Sequence, residues 1–561
     1  MKIKKKKGNM IRRVLLILVL LIVAILVLIK ANNYLREKEN EEVNLVINNN
    51  NVTSRLKEKV LIENGIIYIS MSDVKNFFDK YIYIEDEINE IVTTYDKKIA
   101  SIGFDVNKLT INGAIKKINA SAKMVDDEKV YLPISEMTDV YNIEISNKEE
   151  SRVVMIDSLD REQIKAYTKS KLSLKWKKEF FSKTVGKTAK GEAVIVISKD
   201  ENGWTKIRTD SGKIGYVKTS KLINYTTVRE NWEEEKQISG KVNMFWDYFS
   251  QHVQAPDRTG QTIDGVNAVS PSFFYLDSNG NLKDNVKTSG QKYIEWAHSN
   301  GYKVWPMISN SDAGIKVTSN ILNSYSKRQE LIEQIVEKCV EYGVDGINVD
   351  FENIYEADKD KYSRFIIELV PRMKEIGIVT SVDVTAPDGD PNWSLCYDRQ
   401  VIGNVADYLV FMAYDQYGTS SSKPGTTAGL NWVETSLKKI INYDEVETGK
   451  IILGMPLYTR IWTINSDGSI AGRNVVNMVD INKSIPNNVE KQWDDELKQY
   501  YVEYTSGKQT KKMWIEDGTS IAAKVALVTQ YNLGGTSCWE KDRETSNVWT
   551  IIKDELAKEG K

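Results

Sequence analysis

The sequence predicts a multidomain protein whose C-terminal part is a (β/α)8 TIM barrel with a small α+β insertion. Eight apolar strand candidates follow one another at the spacing of an α/β fold, and eight parallel strands close such a barrel. The fourth candidate lies between two amphipathic helical patterns, one ending before Gly343 and one over 358–376, as in a sheet covered on both faces. The candidates are 242–248, 268–275, 303–308, 346–352, 378–384, 408–413, 450–456 and 535–539.

The composition excludes several classes of site. The 561 residues include 78 acidic and 76 basic side chains, which gives no support for nucleic acid as a partner. The two histidines lie outside any nucleophile motif, and no Cys/His cluster has the spacing of a zinc site. Three scattered cysteines are not a disulfide framework. Carboxylate chemistry remains, and neither a metal nor another cofactor is predicted.

Residues 1–31 are predicted to be a basic cytoplasmic tail and a membrane anchor. A basic cluster precedes sixteen consecutive apolar residues over 14–29, which as a helix would be about 24 Å long, against a hydrocarbon core of about 30 Å. A cleaved signal peptide is the alternative, but 30–34 offers no small-residue cleavage site. The basic residues place the N-terminus in the cytoplasm. We therefore expect a single-pass protein of the cell membrane with its catalytic domain outside.

Two segments are predicted to follow the anchor. Residues 32–58 are rich in Asn, Glu and Lys, which is typical of a linker. Residues 59–158 contain a weak repeat, 67–74 against 130–137, in which each copy is a short strand followed by a helix start. This α+β segment resembles the copper amine oxidase N-terminal-like domains of bacterial envelope proteins, but it has no histidine and no copper is expected. An envelope spacer and a binding module are both open interpretations.

Residues 165–225 have the short strands and turns of a small all-β barrel, over 192–197, 203–208 and 214–217. The pattern resembles a bacterial SH3-like domain, and such domains often bind cell-wall peptides. A structural spacer with aromatic residues in its core is the equal alternative. The TIM barrel is predicted to fill 238–561. Its insertion is expected at about 459–513, because that segment is longer than an ordinary connection.

The fourth barrel strand carries the acids on which a functional prediction depends. With a period of two, one face is apolar and the other carries Asn348, Asp350 and Glu352. In a barrel this second face points inward, and Glu352, its last member, opens onto the catalytic end. Asp350 lies one inward step below it, roughly 6.5–7 Å along the strand. Asp345 falls off this alternation and is expected in the turn that leads into the strand.

Residues 345–352, Asp-Gly-Ile-Asn-Val-Asp-Phe-Glu, resemble the Asp-Gly-x-x-x-Asp-x-Glu signature of glycoside hydrolase family 18, the chitinase-like barrels. The resemblance implies a retaining mechanism in which the 2-acetamido oxygen of the sugar replaces a second protein nucleophile. It also implies that Glu352 protonates the glycosidic oxygen and then activates water, and that Asp350 orients the acetamide and stabilises the cationic intermediate.

The chain departs from the chitinase pattern at Asn348, where chitinases usually have a third acid. Asparagine here resembles the bacterial envelope and spore-cortex branch of the family, which cleaves at N-acetylglucosamine in peptidoglycan. Because a like charge is missing below it, we expect Asp350 to ionise more easily than in a chitinase.

Two other strand ends resemble elements of the family. The sixth strand ends with Met412, Tyr414 and Asp415, and the resemblance implies that Tyr414 holds the acetamide oxygen while Asp415 contacts the sugar. Trp539 on the eighth strand would form the floor under the reacting sugar. Taken alone, Tyr414 and Asp415 would be a loop-stabilising pair and Trp539 a core residue. The predicted substrate-binding residues are Asn348, Met412, Asp415, Trp539 and Tyr458, and the weaker stacking candidates are Trp246, Trp305 and Trp462.

The sequence thus predicts an anchored glycosidase that hydrolyses β-1,4 bonds at N-acetylglucosamine in peptidoglycan. An anchor and an SH3-like domain suit a cell-wall polymer better than a diffusing chitin degrader. A chitin or chitooligosaccharide hydrolase is the first alternative. A non-catalytic sugar-binding barrel is the second, and the presence of Glu352 argues against it. The expected partners are a polysaccharide at the barrel, a cell-wall peptide at the SH3-like domain and the membrane at the N-terminal helix.

Overall fold

The computed structural model describes residues 18–19, 21–25, 27, 42–126, 128–199, 202–232, 236–250 and 253–558. The chain divides into two compact units, one formed by Met1–Ile84, Asn89–Tyr95 and Ala100–Glu234 and the other by Glu85–Ile88, Asp96–Ile99 and Glu235–Lys561. The predicted anchor over 14–29 lies largely outside the described residues. Among the residues that are described, no helix has the length and apolar character needed to cross a membrane.

The first part of the N-terminal unit is an α+β module whose sheets include both copies of the sequence repeat. Ile66–Ser70 pairs antiparallel with Lys129–Pro133, and each strand leads directly into a helical turn. Its other strands and its two short helices have the following bounds: Asn44–Ile47, Asn50–Asn51, Leu61–Glu63, Tyr83–Glu85, Glu90–Tyr95, Lys98–Gly103, Lys108–Ile111, Ala114–Lys117, Lys123–Val125, Ile143–Lys148, Val153–Ser158, and helices Met71–Phe77 and Thr138–Tyr141.

The module begins earlier than the sequence predicts. Asn44–Ile47 lies within the predicted linker 32–58, yet it pairs in parallel with Val153–Ser158. Leu45 is completely buried in the core of the module. The polar composition around this strand hid its short apolar run, Leu45 to Ile47, so the linker boundary at residue 58 is corrected to a point before Asn44.

The second part of the N-terminal unit is a seven-stranded antiparallel sheet over 163–229. The three predicted strands are present as Ala193–Lys199, Trp204–Thr209 and Ile214–Lys218. A small all-β domain therefore exists here, while its SH3-like identity stays a prediction. The remaining strands are Gln163–Thr168, Leu172–Lys175, Thr184–Thr188 and Leu222–Arg229.

The C-terminal unit contains the predicted eight-stranded parallel barrel. The first strand pairs with the second, through Met244 and Ala268, and with the eighth, through Met244 and Ser537, so the sheet closes on itself. The second and third strands are each broken into two short pieces. In order, the strands are Val242–Asp247, Ala268–Pro271 with Phe274–Leu276, Lys303–Val304 with Met307–Ser309, Gly346–Asp350, Val379–Val384, Tyr408–Met412, Ile451–Pro456 and Gly535–Trp539.

Amphipathic helices cover the outside of the barrel. Tyr325–Tyr342 is capped by the Ser324 side chain at its start and ends at Gly343, whose φ of 61° suits glycine. Lys359–Glu375 follows the fourth strand and is mostly buried. These two helices flank the strand that carries the acids, as predicted. The other helices are Lys287–Ser299, Gly314–Leu322, Arg399–Val405, Leu430–Asn442, Gly518–Gln530 and Val548–Leu556.

The long segment between the seventh and eighth strands folds as a separate α+β lobe, as the sequence predicts. Its five strands form one antiparallel sheet, and a single turn of helix, Ile481–Ser484, follows the second of them. The strands of the lobe are Tyr458–Ile464, Ile470–Asn477, Gln492–Asp494, Gln499–Ser506 and Gln509–Ile515. Outside the lobe, the short strand Leu282–Asp284 forms a hairpin with Phe274–Leu276 of the barrel.

Candidate active site

The fourth barrel strand has the predicted alternation. Ile347, Val349 and Phe351 face the helices, and the Phe351 ring stacks on Phe365 with centroids 5.5 Å apart. Gly346 faces inward, and a Cβ at this position would come within 2.3 Å of the Trp305 ring. The strand therefore presents its polar residues to the barrel interior. Asp345 lies before the strand and accepts bonds at the opposite end, from His298, Lys303 and Val304.

Asn348 is completely buried and is held by a network of hydrogen bonds. The Trp246 Nε1–H donates to Asn348 Oδ1 at 2.8 Å. Asn348 Nδ2 donates to Ser381 Oγ at 3.0 Å and to Asp383 Oδ1 at 2.7 Å. Its amide thus orients protein groups and has no exposed surface for a sugar. The prediction that Asn348 binds substrate is corrected accordingly.

Asp350 lies beside a second acid, Asp383 of the fifth strand. The strand register pairs Asn348 with Ser381 and Val349 with Val382, so the next step places Asp350 next to Asp383. Burial raises the pKa of Asp350 well above its ordinary value, and the neighbouring Asp383 raises it further. The prediction that Asp350 ionises more easily than in a chitinase counted only the acids of its own strand, and it stays a prediction. Position 348 carries no acid, but the adjacent strand supplies one.

Glu352 lies just beyond the strand and is fixed through its backbone. Asn310, which follows the third strand, accepts from the Glu352 N–H at 2.9 Å and donates to the Glu352 carbonyl at 2.9 Å. The Tyr397 hydroxyl donates to the carbonyl of Phe351 at 2.9 Å. Burial raises the pKa of the Glu352 carboxyl well above its ordinary value, with smaller contributions from Asp350 and Asp415. A carboxylic acid with a raised pKa keeps its proton to higher pH and is therefore suited to donate it.

Tyr414 and Asp415 follow the sixth strand and reach the same site. Burial raises the Tyr414 pKa well above its ordinary value, and Asp383, Tyr458, Asp350 and Glu352 add to the shift, which places its phenol among these acids. Asp415 has a φ of 57°, in the left-handed region, and accepts from Tyr458 Oη at 2.7 Å and Arg460 Nη2 at 2.8 Å. Tyr458 thus holds Asp415. Met412 is buried below them.

Trp539 provides an aromatic surface at the same end of the barrel. Its ring is partly exposed and contacts Trp246, with centroids 5.8 Å apart, and Tyr248, at 5.7 Å. Trp246 also contacts Tyr414, at 6.4 Å. Trp246, Trp305 and Trp462 are themselves at most 1% exposed, so these three stacking candidates are core residues.

The structure brings the predicted acids, phenols and Trp539 together, and it adds three residues that sequence reasoning missed. Asp383 alternates with Ser381 on the predicted fifth strand, and that alternation was the available signal. Asn310 stands directly after a predicted strand, but nothing in its sequence distinguishes it from a loop residue. Arg460 becomes relevant only through its contact with Asp415. Among the described residues, no group of three or more His, Cys, Asp or Glu side chains is arranged to hold a metal ion.

Two sequence families match this chain. Glycosyl hydrolases family 18 matches residues 241–544, and the copper amine oxidase N-terminal domain matches residues 39–156. The second match supports the predicted resemblance of the α+β module. The first covers the whole barrel and more than half of the chain.

Similar proteins match over the barrel. The Bacillus subtilis protein described as uncharacterized glycosylase YvbX is 26% identical, over 51% of this chain and 84% of its own. The cortical fragment-lytic enzyme of B. subtilis is 24% identical over 50% and 66%, and endochitinase 1 of Metarhizium anisopliae is 24% identical over 40% and 58%.

Among solved structures, a Chromobacterium violaceum chitinase aligns with a TM-score of 0.48 at 24% identity, over 52% of this chain and 92% of its own. The Bacillus megaterium spore cortex-lytic enzyme SleL aligns with a TM-score of 0.48 at 20% identity, over 60% and 78%. The family match spans all eight barrel strands, including those that carry the acids. The chain therefore belongs to glycosyl hydrolase family 18 and is a glycoside hydrolase.

Proposed function

We propose that the barrel hydrolyses β-1,4 bonds at N-acetylglucosamine in peptidoglycan, with retention of configuration and with the substrate's own acetamide as nucleophile. The observation that carries this proposal is the position of the acids. Glu352 has a raised pKa at the mouth of the barrel, and Asp350 lies below it on the same strand. Such a pair is badly placed to attack the sugar from both faces, which favours the substrate-assisted route.

In this mechanism Glu352 donates its proton to the glycosidic oxygen as the bond to C1 breaks. The acetamide oxygen of the same sugar attacks C1 and gives a cationic oxazolinium ion. The resulting Glu352 carboxylate then takes a proton from water as that water attacks C1, and the acetamide is released unchanged. Glu352 thereby returns to its protonated form, ready for the next cycle.

Three further side chains act around the acetamide and the ring. Asp350 stabilises the cation, because a negative charge in a buried site interacts strongly with it. The Tyr414 hydroxyl donates to the acetamide oxygen and holds it below C1. Asp415, fixed by Tyr458 and Arg460, contacts a sugar hydroxyl, and Trp539 stacks under the apolar face of the ring. Met412 supports Tyr414 from the core.

Peptidoglycan is the preferred polymer because of the motif around Asn348. The resemblance of the Asn348 motif to the cortex branch is supported by relatives described as cortical fragment-lytic enzymes. We further propose that residues 1–31 anchor the chain in the cell membrane with the barrel outside, and that the seven-stranded β domain binds cell-wall peptide. Chitin is the second candidate, because endochitinases are also among the relatives.

The test is digestion of purified peptidoglycan and of soluble chitooligosaccharides by the full-length protein, followed by mass spectrometry of the products. We expect muropeptides with N-acetylglucosamine at the reducing end, and none from Glu352→Gln. Faster cleavage of the chitooligosaccharides would favour the chitin alternative. Equal cleavage of glycans that lack the N-acetyl group would contradict the substrate-assisted mechanism. Fractionation of cells tests the membrane location, and binding of a Glu352→Gln protein to intact and peptide-free walls tests the β domain.

A further inference from the structure

Asp383 has no assigned role in the proposed mechanism, although it lies in the same inward layer as Asp350. The register of the fourth and fifth strands makes these residues neighbours, and adjacent strands are about 4.8 Å apart. Parallel strands in register point neighbouring side chains to the same side, so both carboxyls enter the barrel interior together. Asp383 is 1% exposed.

The hydrogen bonds around Asn348 determine which oxygen of Asp383 is occupied. An indole N–H can only donate, so the Trp246 contact requires Oδ1 of Asn348 on that side. The Asn348 NH2 group therefore faces Asp383 and donates to Asp383 Oδ1. This leaves Asp383 Oδ2, which is buried and has no hydrogen-bond partner among the described residues. Asp350 Oδ1 is in the same condition.

Two buried oxygens without partners on adjacent carboxyls are costly if both acids are ionised. At the mouth of the site, the guanidinium of Arg460 pairs with Asp415. A single proton between the two carboxyls would satisfy both oxygens and leave one negative charge. The titratable groups that interact with the pair are Glu352 beyond the fourth strand, Tyr362 in the following helix, Tyr397 after the fifth strand and Tyr414 after the sixth. Asp415 acts on Glu352, and Tyr458 donates to Asp415.

We propose that Asp350 and Asp383 share one proton, and that Asp383 is a positioning residue that supplies from the fifth strand the carboxyl partner that position 348 lacks. The inference rests on the proposed function, because Asp350 must become negative when the cation forms. At that step the shared proton moves onto Asp383 Oδ2, and Asp350 carries the charge. When the intermediate is hydrolysed the proton returns to the shared position. The pair holds one proton and one negative charge throughout.

The first test is the pH profile of kcat/KM for Asp383→Asn, with Ser381→Ala as the matched control on the same strand. Without a carboxyl neighbour Asp350 should ionise more easily. The acidic limb of the kcat/KM profile, where activity rises with pH, should therefore lie at least about one pH unit lower. We expect kcat to fall about 100-fold, the lower end of the range for loss of a proton-transfer partner. Ser381→Ala should leave the limb in place. The double variant Asn348→Asp/Asp383→Asn returns a carboxyl next to Asp350 and should move the limb back.

The second test does not depend on activity. Buried acids whose folded pKa is raised stabilise the fold below their unfolded pKa, and this contribution is lost as the pH rises through the folded pKa. In a Glu352→Gln background, the stability should therefore fall from acidic to neutral pH. Asp383→Asn should flatten that fall. Asp350→Asn removes the other carboxyl of the pair and should flatten the fall in the same way. This variant replaces Asp383→Asn in the test if Asp383→Asn does not fold.

The two tests separate this inference from the proposed function. If the protein hydrolyses none of the glycans but Asp383→Asn flattens the pH dependence of stability, the shared proton stands and the proposed function fails. If hydrolysis proceeds as proposed but Asp383→Asn leaves both the acidic limb and the stability profile as in the unaltered protein, the shared proton is overturned.

Discussion

Two groups of buried carboxylates lie at the same end of the barrel, and they are stabilised differently. Around Asp247, at the end of the first strand, Arg258 donates to both carboxylate oxygens at 2.9 and 3.0 Å, and Tyr293 donates at 2.9 Å. Arg258 also binds Asp542. Around Asp350, Asp383 and Glu352, the neighbours are other acids and phenols. The group around Asp247 is neutralised by the Arg258 guanidinium, whereas no cation contacts the group around Asp350 among the described residues.

The pKa values follow this difference at Asp542 but not at Asp247. For Asp542 burial acts to raise the pKa, but bonds from Arg258 and Lys541 outweigh it and lower the value to about 2. For Asp247 burial outweighs the bonds from Arg258, and the pKa is raised. At Asp350 and Glu352 burial acts together with like charges, and each pKa is raised well above its ordinary value. At Asp383 burial, aided by Glu352, outweighs the hydrogen bonds from Asn348 and Trp246, and the pKa is likewise raised well above its ordinary value. Buried acids left without a cation are thus a sign of function, whereas paired ones indicate structure.

Glu352→Gln is the largest expected effect and the sharpest test of the unpaired group. Losing a general acid should lower kcat by about 100- to 10,000-fold. The change should not weaken the fold at neutral pH, because it removes a buried acid rather than one partner of an ion pair. Release of reducing ends gives the first quantity, and thermal unfolding gives the second. If Glu352→Gln unfolds easily while its folded fraction stays active, Glu352 contributes to stability and not to catalysis.

Arg258→Met tests the paired group in the opposite direction. It leaves Asp247 buried without its partner, which should destabilise the protein by about 3–5 kcal/mol in chemical unfolding. The folded fraction should keep its kcat within a few-fold.

Lys553→Met is the matched control for Arg258→Met, because Lys553 forms an exposed ion pair with Asp264. It should leave the unfolding midpoint nearly unchanged, because solvent screens an exposed pair. If the two substitutions destabilise equally, the contrast between the buried and exposed pairs does not hold.

The sequence was sufficient for the barrel because each of its strands is apolar and is separated from the next at regular spacing. Alternation along 346–352 was also sufficient to place Glu352 and Asp350 inward. Both features are local, so a single chain shows them directly.

The rest of the site depends on which strands become neighbours. Asp383 acquires its meaning only when the register sets it beside Asp350, and Asn310 only when its loop reaches Glu352. The expectation for Asp350 left out Asp383 for that reason: it counted the acids of one strand. Likewise, Trp462 resembled a stacking residue, but its N–H donates to the Gly425 carbonyl inside the fold.

Asn310→Ala should have a smaller effect than Glu352→Gln. It removes both side-chain bonds to the Glu352 backbone, so the acid should lose its exact position while its chemistry is intact. We expect kcat to fall about 10- to 100-fold with little change in KM.

Thr318→Val is the control for Asn310→Ala, because Asn310 Nδ2 also contacts Thr318 Oγ1 at 3.1 Å. It disturbs Asn310 without touching Glu352 and should cost less activity. Asn310→Asp keeps an acceptor for the Glu352 N–H and loses the donor, so its kcat should lie between those of the unaltered protein and Asn310→Ala. Equal losses of stability and of kcat in all three variants would point to a purely structural role.

Trp539→Leu should give the smallest change, and it decides whether this ring belongs to the open site or to the core. The indole offers a large apolar contact area to a sugar ring, so KM should rise roughly 10-fold, equivalent to about 1.4 kcal/mol of binding, with kcat less affected. Trp493→Leu is the control, because Trp493 lies in the inserted lobe with 41% exposure. It should leave KM unchanged. If Trp539→Leu lowers the melting temperature but not the affinity for glycan, the ring packs against Trp246 and Tyr248 as core, and the polymer is held by other residues.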